Sequence, residues 1–371
     1  MREELMRRIL AICILLSQVL RTQESVPKTT LTGHVLDDST GAPLLLANVF
    51  IAGSTIGTST AEDGSFALKE VPFGAVEIVG SLVGYKRVSF PLNLSSQHNL
   101  SIELRLKPSP IQLKPVLIDA SERIRNLKKF MDLFFGFSRN AKDCKVVNTE
   151  IIEFQPGDES GMMRVDFAGP LDIENKNLGY RLDYFIDEFT MHGKYVQFAG
   201  VTHFEDLKPK DENLRTEWME SRKKAYKGSL QHFLSALVRR QLEEEGFSAY
   251  FVDEISLTNR IRRRVEVDSV LSSGKHPFEK LLSFKKYIEI NYRGEPPEAG
   301  FKDFMGFRGA TSPWYSRLLA YQTSWITMNK PAVTVNVDGI LHDPLAIMTY
   351  GYWSFERVGE MLPLDYRPPP D

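Results

Sequence analysis

Between Leu31 and Leu106, chain reversals recur about every eight to twelve residues. Asp37-Asp38-Ser39-Thr40-Gly41, Gly53-Ser54, Asp63-Gly64, Pro72-Phe73-Gly74 and Gly84 each supply turn chemistry, glycine by taking positive φ without a steric cost. No helix of ordinary length fits between such reversals. Short alternating runs do fit. Ala47, Val49 and Ile51 point one way, with Asn48 and Phe50 opposite; Phe66 pairs with Leu68, and Val76 with Ile78. Leu100, Ile102, Leu104 and Leu106 alternate with Ser101, Glu103 and Arg105. About seven strands in this span predict a small sandwich. In it the strand from Ser65 to Lys69 presents Phe66 and Leu68 to the core, and Gly53-Ser54 and Asp63-Gly64 make hairpin-type turns.

The order of these residues resembles that of carboxypeptidase-regulatory-like domains. Gly33-His34-Val35, Thr40-Gly41-Ala42-Pro43-Leu44, Ala47-Asn48-Val49, Gly57-Thr58, Asp63-Gly64-Ser65-Phe66, Val71-Pro72-Phe73-Gly74 and Val83-Gly84-Tyr85 carry the likeness. It implies a prealbumin-like, Ig-like sandwich without catalytic function, grouped with carbohydrate-binding-like folds. It also implies the setting of Bacteroidetes-type exported proteins and TonB-dependent outer-membrane receptors. The likeness does not extend to a zinc carboxypeptidase domain and implies no such activity.

The remaining chain divides by composition. Arg2, Arg7 and Arg8 precede an apolar run from Ile9 to Leu20. Twelve helical residues span about 18 Å, short of a ~30 Å bilayer core, so residues 1–25 read as a signal peptide. Residues 30–107 are the sandwich. Pro108, Pro110 and Pro115 stiffen a linker over 108–116. Residues 117–366 read as an α+β domain with a largely antiparallel sheet, and 367–371 as a tail. In the α+β part, Ser121 opens a helix through Phe135, with Ile124, Leu127, Met131 and Phe134 on one face and Gly136 past its end. Tyr180, Leu182, Tyr184 and Ile186 alternate as a strand, and Lys194–Phe204 continues extended. Leu214–Tyr226 and Ser229–Glu245 read as helices, the second with Arg239 and Arg240 facing out and Gly246 as its stop. Phe134-Phe135-Gly136-Phe137-Ser138, Leu178-Gly179-Tyr180, Gly351-Tyr352-Trp353 and Leu362-Pro363-Leu364-Asp365-Tyr366 resemble the uncharacterised region that follows this sandwich in many exported bacterial proteins.

Chemistry is sparse. A net charge of −2 and no basic face argue against nucleic acid; Arg262-Arg263-Arg264 beside alternating acids reads as a solvated strand. With only Cys13 and Cys144, removal of the signal leaves one thiol and no internal disulfide, and Cys144 reads as a small buried hydrophobe. His203 and Glu205 share a strand face, with His192 earlier, but zinc sites need three or four ligands. His342-Asp343 reads as a solvated loop. Ser229 reads as a helix cap with His232 as its neighbour. There is no Gly-x-Ser-x-Gly elbow and no phosphate loop, so no catalytic residue, metal ligand or cofactor is expected. Asp172, Glu174, Asp183, Asp187, Glu188, Glu205 and Asp206 are abundant, but glycosidic cleavage needs a spatial pair that sequence does not show. Trp314, Tyr315, Tyr321, Trp325, Tyr350, Tyr352 and Trp353 cluster late, as core or interface filling or as a sugar platform.

The expected function is an exported, non-catalytic envelope protein of periplasm or outer membrane, with a glycan or envelope protein as partner. Alternatives are an envelope polysaccharide- or peptide-processing enzyme using carboxylates of the larger domain, and an accessory of a TonB-dependent transporter.

Overall fold

The structure, a computed structural model, describes residues 26–95, 100–109, 119–193, 195–256, 261–307 and 320–369. The expected signal segment, most of the linker and the Trp314-Tyr315 pair lie outside these residues.

Two four-stranded sheets form the leading sandwich. Its strands are β1 (Lys28–Asp37), β2 (Asn48–Ile51), β3 (Gly57–Ser59), β4 (Ser65–Pro72), β5 (Gly74–Ser81), β6 (Tyr85–Lys86), β7 (Val88–Leu94) and β8 (Leu100–Pro108). One sheet runs β4-β1-β8-β6 and the other β3-β2-β5-β7. Leu31, Val35, Val49, Phe66, Leu68, Ile78, Leu104 and Leu106 meet between them. Each belongs to an alternating run, which is why burial of one face selects this register.

The turns flanking β4 differ from the sequence expectation. Only Gly53-Ser54 closes a hairpin, between β2 and β3. Asp63-Gly64 carries the chain from one sheet to the other, since β3 pairs with β2 whereas β4 pairs with β1. Pro72-Phe73-Gly74 returns it to β5. Gly64 sits at φ +75°, and a Cβ there would fall 2.7 Å from the carbonyl oxygen of Val35. Turn residues specify a reversal; they do not specify which sheet receives the next strand.

The second part contains three antiparallel sheets. The first comprises β9 (Cys144–Val146), β10 (Ile152–Pro156), β11 (Met162–Phe167), β12 (Leu171–Asn175), β13 (Tyr180–His192) and β14 (Tyr195–Asp206). The long β13 pairs with β12 and β11 on one side and β14 on the other. A bulge between Ile186 and Glu188 shifts its parity, so Phe189 and Met191 join Tyr180, Leu182 and Tyr184 in the core.

Helix α1 (Ala120–Phe135) lies on this sheet through Phe130, Leu133 and Phe134. The Phe130 ring stands 4.9 Å from Phe189, and Phe134 5.5 Å from Tyr184. Its N-cap is Asp119 rather than Ser121, and Ile124, expected on the buried face, is 69% exposed. In that first turn Arg123 reaches the sheet edge instead, donating to the carbonyls of Thr149 and Ile152.

Two further helices follow, α2 (Glu212–Tyr226) and α3 (Leu230–Val238). Asp211 caps α2 by accepting from Leu214 N, and Ser229 caps α3 by accepting from His232 N. The α3 helix stops seven residues before the expected end at Glu245. Arg240 takes φ +60°, and Gln241 N closes the turn on the Ala236 carbonyl. Arg239 does not face out: its Nε donates to the Val337 carbonyl at 3.0 Å.

The last strands are β15 (Phe247–Val252), β16 (Arg263–Arg264), β17 (Leu271–Ser273), β18 (Glu279–Leu282), β19 (Tyr287–Tyr292), β20 (Gln322–Met328), β21 (Val333–Asn336) and β22 (Ile347–Gly351). They form sheets β16-β15-β19-β20-β22 and β17-β18-β21. Phe233, Leu237, Phe247, Ile288, Ile326 and Val335 fill the core beneath α3. Short helices α4 (Ala299–Phe304) and α5 (Tyr352–Glu356) join a satellite cluster of Phe301, Tyr352 and Phe355. No helix among the described residues is long and apolar enough to cross a membrane.

Candidate functional site

A cleft of about 760 Å³ opens where the sandwich meets the later sheets. Its position follows from how the two parts are joined. Phe50, on the side of β2 away from the sandwich core, is 1% exposed because the larger part covers it. Its ring stacks on His203 at 4.7 Å and on Phe185 at 5.7 Å. The β2–β3 hairpin adds to the edge of β14: Gly53 N donates to the Thr202 carbonyl, and Phe204 N donates to that of Ser54. The segment after α5 then straps both parts. Leu362 packs in the first sheet's core, Leu364 N donates to the Gly53 carbonyl, and Asp365 accepts from Thr55 N at 3.0 Å and Thr55 Oγ1 at 2.5 Å.

The cleft left between these contacts has apolar walls from Ile51, Pro72, Phe73, Val76, Leu92 and Ile340. Clefts between domains with such walls and few polar groups are the usual place for a ligand. Four acids (Glu70, Glu77, Asp338, Asp365) and three bases (Lys28, Arg239, Arg367) also line it. They are largely paired with one another or with backbone. Asp338 sits between Arg239 at 3.5 Å and Arg367 at 2.6 Å, and Lys28 meets Glu70 at 3.1 Å. The near balance of charge gives no strong preference for an ion of either sign.

His342 is the cleft residue with the most chemical potential. It is not a solvated loop residue as expected from sequence. Its Nε2 lies 3.1 Å from Oε1 of Glu279, which is 1% exposed on β18. Burial holds the imidazole below its usual pKa range, against the opposing pull of Glu279. A Cβ on Gly74 would stand 3.0 Å from that carboxylate oxygen, so the sandwich's own turn closes over the pair. Asp343 is occupied as well: it caps a 3-10 turn at Leu345 N and pairs with Lys330.

The other sequence candidates go elsewhere. His203 is packing: besides Phe50 it abuts Gly57, where a Cβ would come within 2.5 Å of Nε2. Burial lowers its pKa. Glu205 is exposed opposite Arg181, and His192 is at the far end of the β13–β14 hairpin. No three His, Cys, Asp or Glu side chains gather as a metal-binding group among the described residues. His232 accepts from Gly228 N at Nδ1 and meets Glu245 at Nε2, a helix-end arrangement. Cys144 has its thiol pushed up to about 12, first by burial.

Of the acids named from sequence, Asp172 pairs with Arg181 at 2.6 Å, and Asp183 is raised by burial. The deeply buried carboxylates are ones that alternation did not single out, Glu279 and Glu289. Glu360 and Glu356 form a further group. Burial lifts Glu360 to about 7 and Glu356 well above the ordinary carboxylate range. Asn140 Nδ2 donates to Glu360 at 2.7 Å. Arg262, expected as solvated, neutralises Glu289 at 3.1 Å. Among the late aromatics Trp325 and Tyr352 are buried, and Trp353 donates to the Gly228 carbonyl.

No curated protein matches the chain. Solved structures share only local similarity. A 3-chlorocatechol 1,2-dioxygenase from Rhodococcus opacus 1CP is 14% identical over 24% of this chain, with a TM-score of 0.20, and the match spans 63% of the dioxygenase. A DUF3823 family protein from Bacteroides ovatus is 12% identical over 49% of this chain and 82% of its own, with a TM-score of 0.18. The specific match is to a family model. It covers residues 31–118, the span of the leading sandwich, and that segment is a CarboxypepD_reg-like domain.

Proposed function

We propose that the protein is an exported envelope protein that binds a partner in the cleft between its CarboxypepD_reg-like sandwich and its later sheets. The observation that carries this reading is the cleft itself. Both parts build it, its walls are mostly apolar, and its charges are largely paired internally. Such a lining suits an apolar segment of an envelope protein better than a strongly charged molecule. His342 Nε2 stands 3.1 Å from Glu279 Oε1, and the serine that lines the cleft, Ser54, donates its hydroxyl to the Ile51 carbonyl.

Fractionation and cross-linking test it together. The expected result is recovery of the processed chain from the envelope fraction, captured with one partner through a photo-reactive residue at Ile340. A chain that stays unprocessed in the cytosol, or capture unchanged when the photo-reactive residue is moved to exposed Ile124, refutes it.

One observation favours a second reading, an envelope hydrolase: the raised Glu356 and Glu360 have the protonation an acid catalyst needs. Release of products from purified cell-wall polymer, abolished by Glu360→Gln, would support that reading over the first.

A further inference from the structure

The cleft joins two hydrophobic cores. Ile51 belongs to the core of the sandwich, and Ile56, Phe73, Val76 and Leu92 pack against that core while half-buried. All five also line the cleft. On the far side, Val26 belongs to the core beneath α3, and Leu341 and Phe73 pack against it. Both sandwich sheets contribute to the lining, Pro72 of β4 from one and Ile51 of β2 and Val76 of β5 from the other. The cavity therefore enters the end of the sandwich, where its two sheets part.

The walls narrow the chemistry of what fits. They are chiefly aliphatic, and among the described lining residues Phe73 is joined by no tyrosine or tryptophan. A sugar or a planar ring system finds little to stack on. Most polar side chains of the lining are already engaged within the protein. Ser54 Oγ donates to the Ile51 carbonyl at 2.9 Å, and Asn336 Oδ1 accepts from Asp338 N at 3.0 Å and Ile340 N at 3.1 Å. Asp365 is held by Thr55, and Asp338 by Arg239 and Arg367. An inserted peptide backbone brings an N–H and a C=O with nearly every residue, and burying these without partners is costly. A hydrocarbon chain brings neither. The volume of about 760 Å³ lies within the range of about 300–1,000 Å³ usual for small-molecule sites.

We infer that the cleft takes an acyl chain, inserted into the end of the sandwich, with the chain's head group left at the rim. The exposed charges of the lining fit that placement. Lys28, Glu70 and Arg367 have side chains 54%, 72% and 43% exposed, and together they present both signs. Such a rim suits a head group without net charge. The inference rests on the cleft being the partner's site, and it names the chemistry of the apolar part that enters. An acyl chain is carried by a membrane lipid or by an acylated envelope protein, and the experiment separates the two sources.

The full chain is titrated by calorimetry with single-chain phosphocholines of six to twelve carbons, each below its micelle-forming concentration. A second arm uses a short N-acylated peptide with the same series of chains, beside the unacylated peptide. The expected result is saturable binding that tightens about fourfold with each added methylene, as burial of a CH₂ predicts. The tighter of the two arms names the source, and the unacylated peptide does not bind. Val76→Trp fills the sandwich side of the cleft and Ile340→Trp the opposite side. Each weakens the longest chains at least tenfold, so the second remains informative if the first disturbs the sandwich. Ile124→Trp, on an exposed turn away from the cleft, leaves binding unchanged. Affinity independent of chain length, or a chain-length dependence that survives both cleft substitutions, overturns the inference. If chain binding fails while a photo-reactive residue at Ile340 still captures one envelope partner, only this inference falls and the partner site stands.

Discussion

Replacing Phe50 with alanine isolates the joint between the sandwich and the six-stranded sheet. The ring is almost fully buried, yet it is absent from the sandwich's own core. Burying roughly 200 Å² at about 25 cal/mol/Å² sets an upper bound of about 5 kcal/mol. Large-to-small substitutions at buried phenylalanines cost about 3–5 kcal/mol. The stacked pairs with His203 and Phe185 account for about 0.5–1.5 kcal/mol each. A loss of about 3 kcal/mol is therefore expected, and it falls on the contact between the two parts. Equilibrium urea unfolding reads this directly, because every tryptophan lies beyond the sandwich. Tryptophan fluorescence reports the larger part, and far-UV dichroism reports both. In the wild type the two signals coincide; in Phe50→Ala they separate. A double-mutant cycle with His203→Ala yields a coupling of about 0.5–1.5 kcal/mol. Loss below about 1 kcal/mol with coincident transitions, or zero coupling, would refute the claim that this ring couples the two parts.

Burial raises Glu360 from an ordinary value near 4.5 to about 7, so between those pH values the folded state keeps a proton that the unfolded state has released. Stability therefore falls as pH rises through that window, and Glu360→Gln flattens the dependence in thermal melts from pH 4 to 8. His203 acts with the opposite sign: its lowered pKa means stability is lost as pH falls below about 6.5, and His203→Phe reduces that loss. Asp365→Ala removes both bonds to Thr55 and is expected to cost about 1–3 kcal/mol, measured as a shift of the urea midpoint. Cys144, with its thiol raised to about 12, stays unlabelled by a thiol reagent at pH 8 in the folded protein and reacts once urea unfolds it. Cys13→Ser provides the background for that measurement.

The sandwich was legible because its information is local. Alternation in β4 and β8 places Phe66, Leu68, Leu104 and Leu106 on core faces, and all four are buried. What stayed hidden depends on partners distant in the chain. Phe50 alternates onto an outer face and is buried only because residues far along the chain cover it. Helix α3 carries an apolar stripe that continues to Leu242, yet it breaks where Arg239 turns to Val337 and Asp338, about one hundred residues away. The candidate cleft followed the same rule. Nothing near His342 in sequence signals Glu279, since their contact joins β18 to the turn after β21. The buried carboxylate Glu289 looks, in Tyr287-Ile288-Glu289-Ile290, like the polar half of an ordinary half-solvated strand. It is nevertheless 0% exposed, opposite Tyr250 of β15 and Trp325 of β20.

The bonds from Thr55 to Asp365 span 310 residues of chain. During N-to-C synthesis the sandwich is complete long before its latch exists, so the hairpin at Gly53 emerges as an open edge with no mate. Folding order is thereby written into the architecture. The leading unit must stand alone first, with its loose rim exposed to whatever holds nascent chains; β14 then takes up that rim, and the arrival of Leu364 and Asp365 closes the joint last.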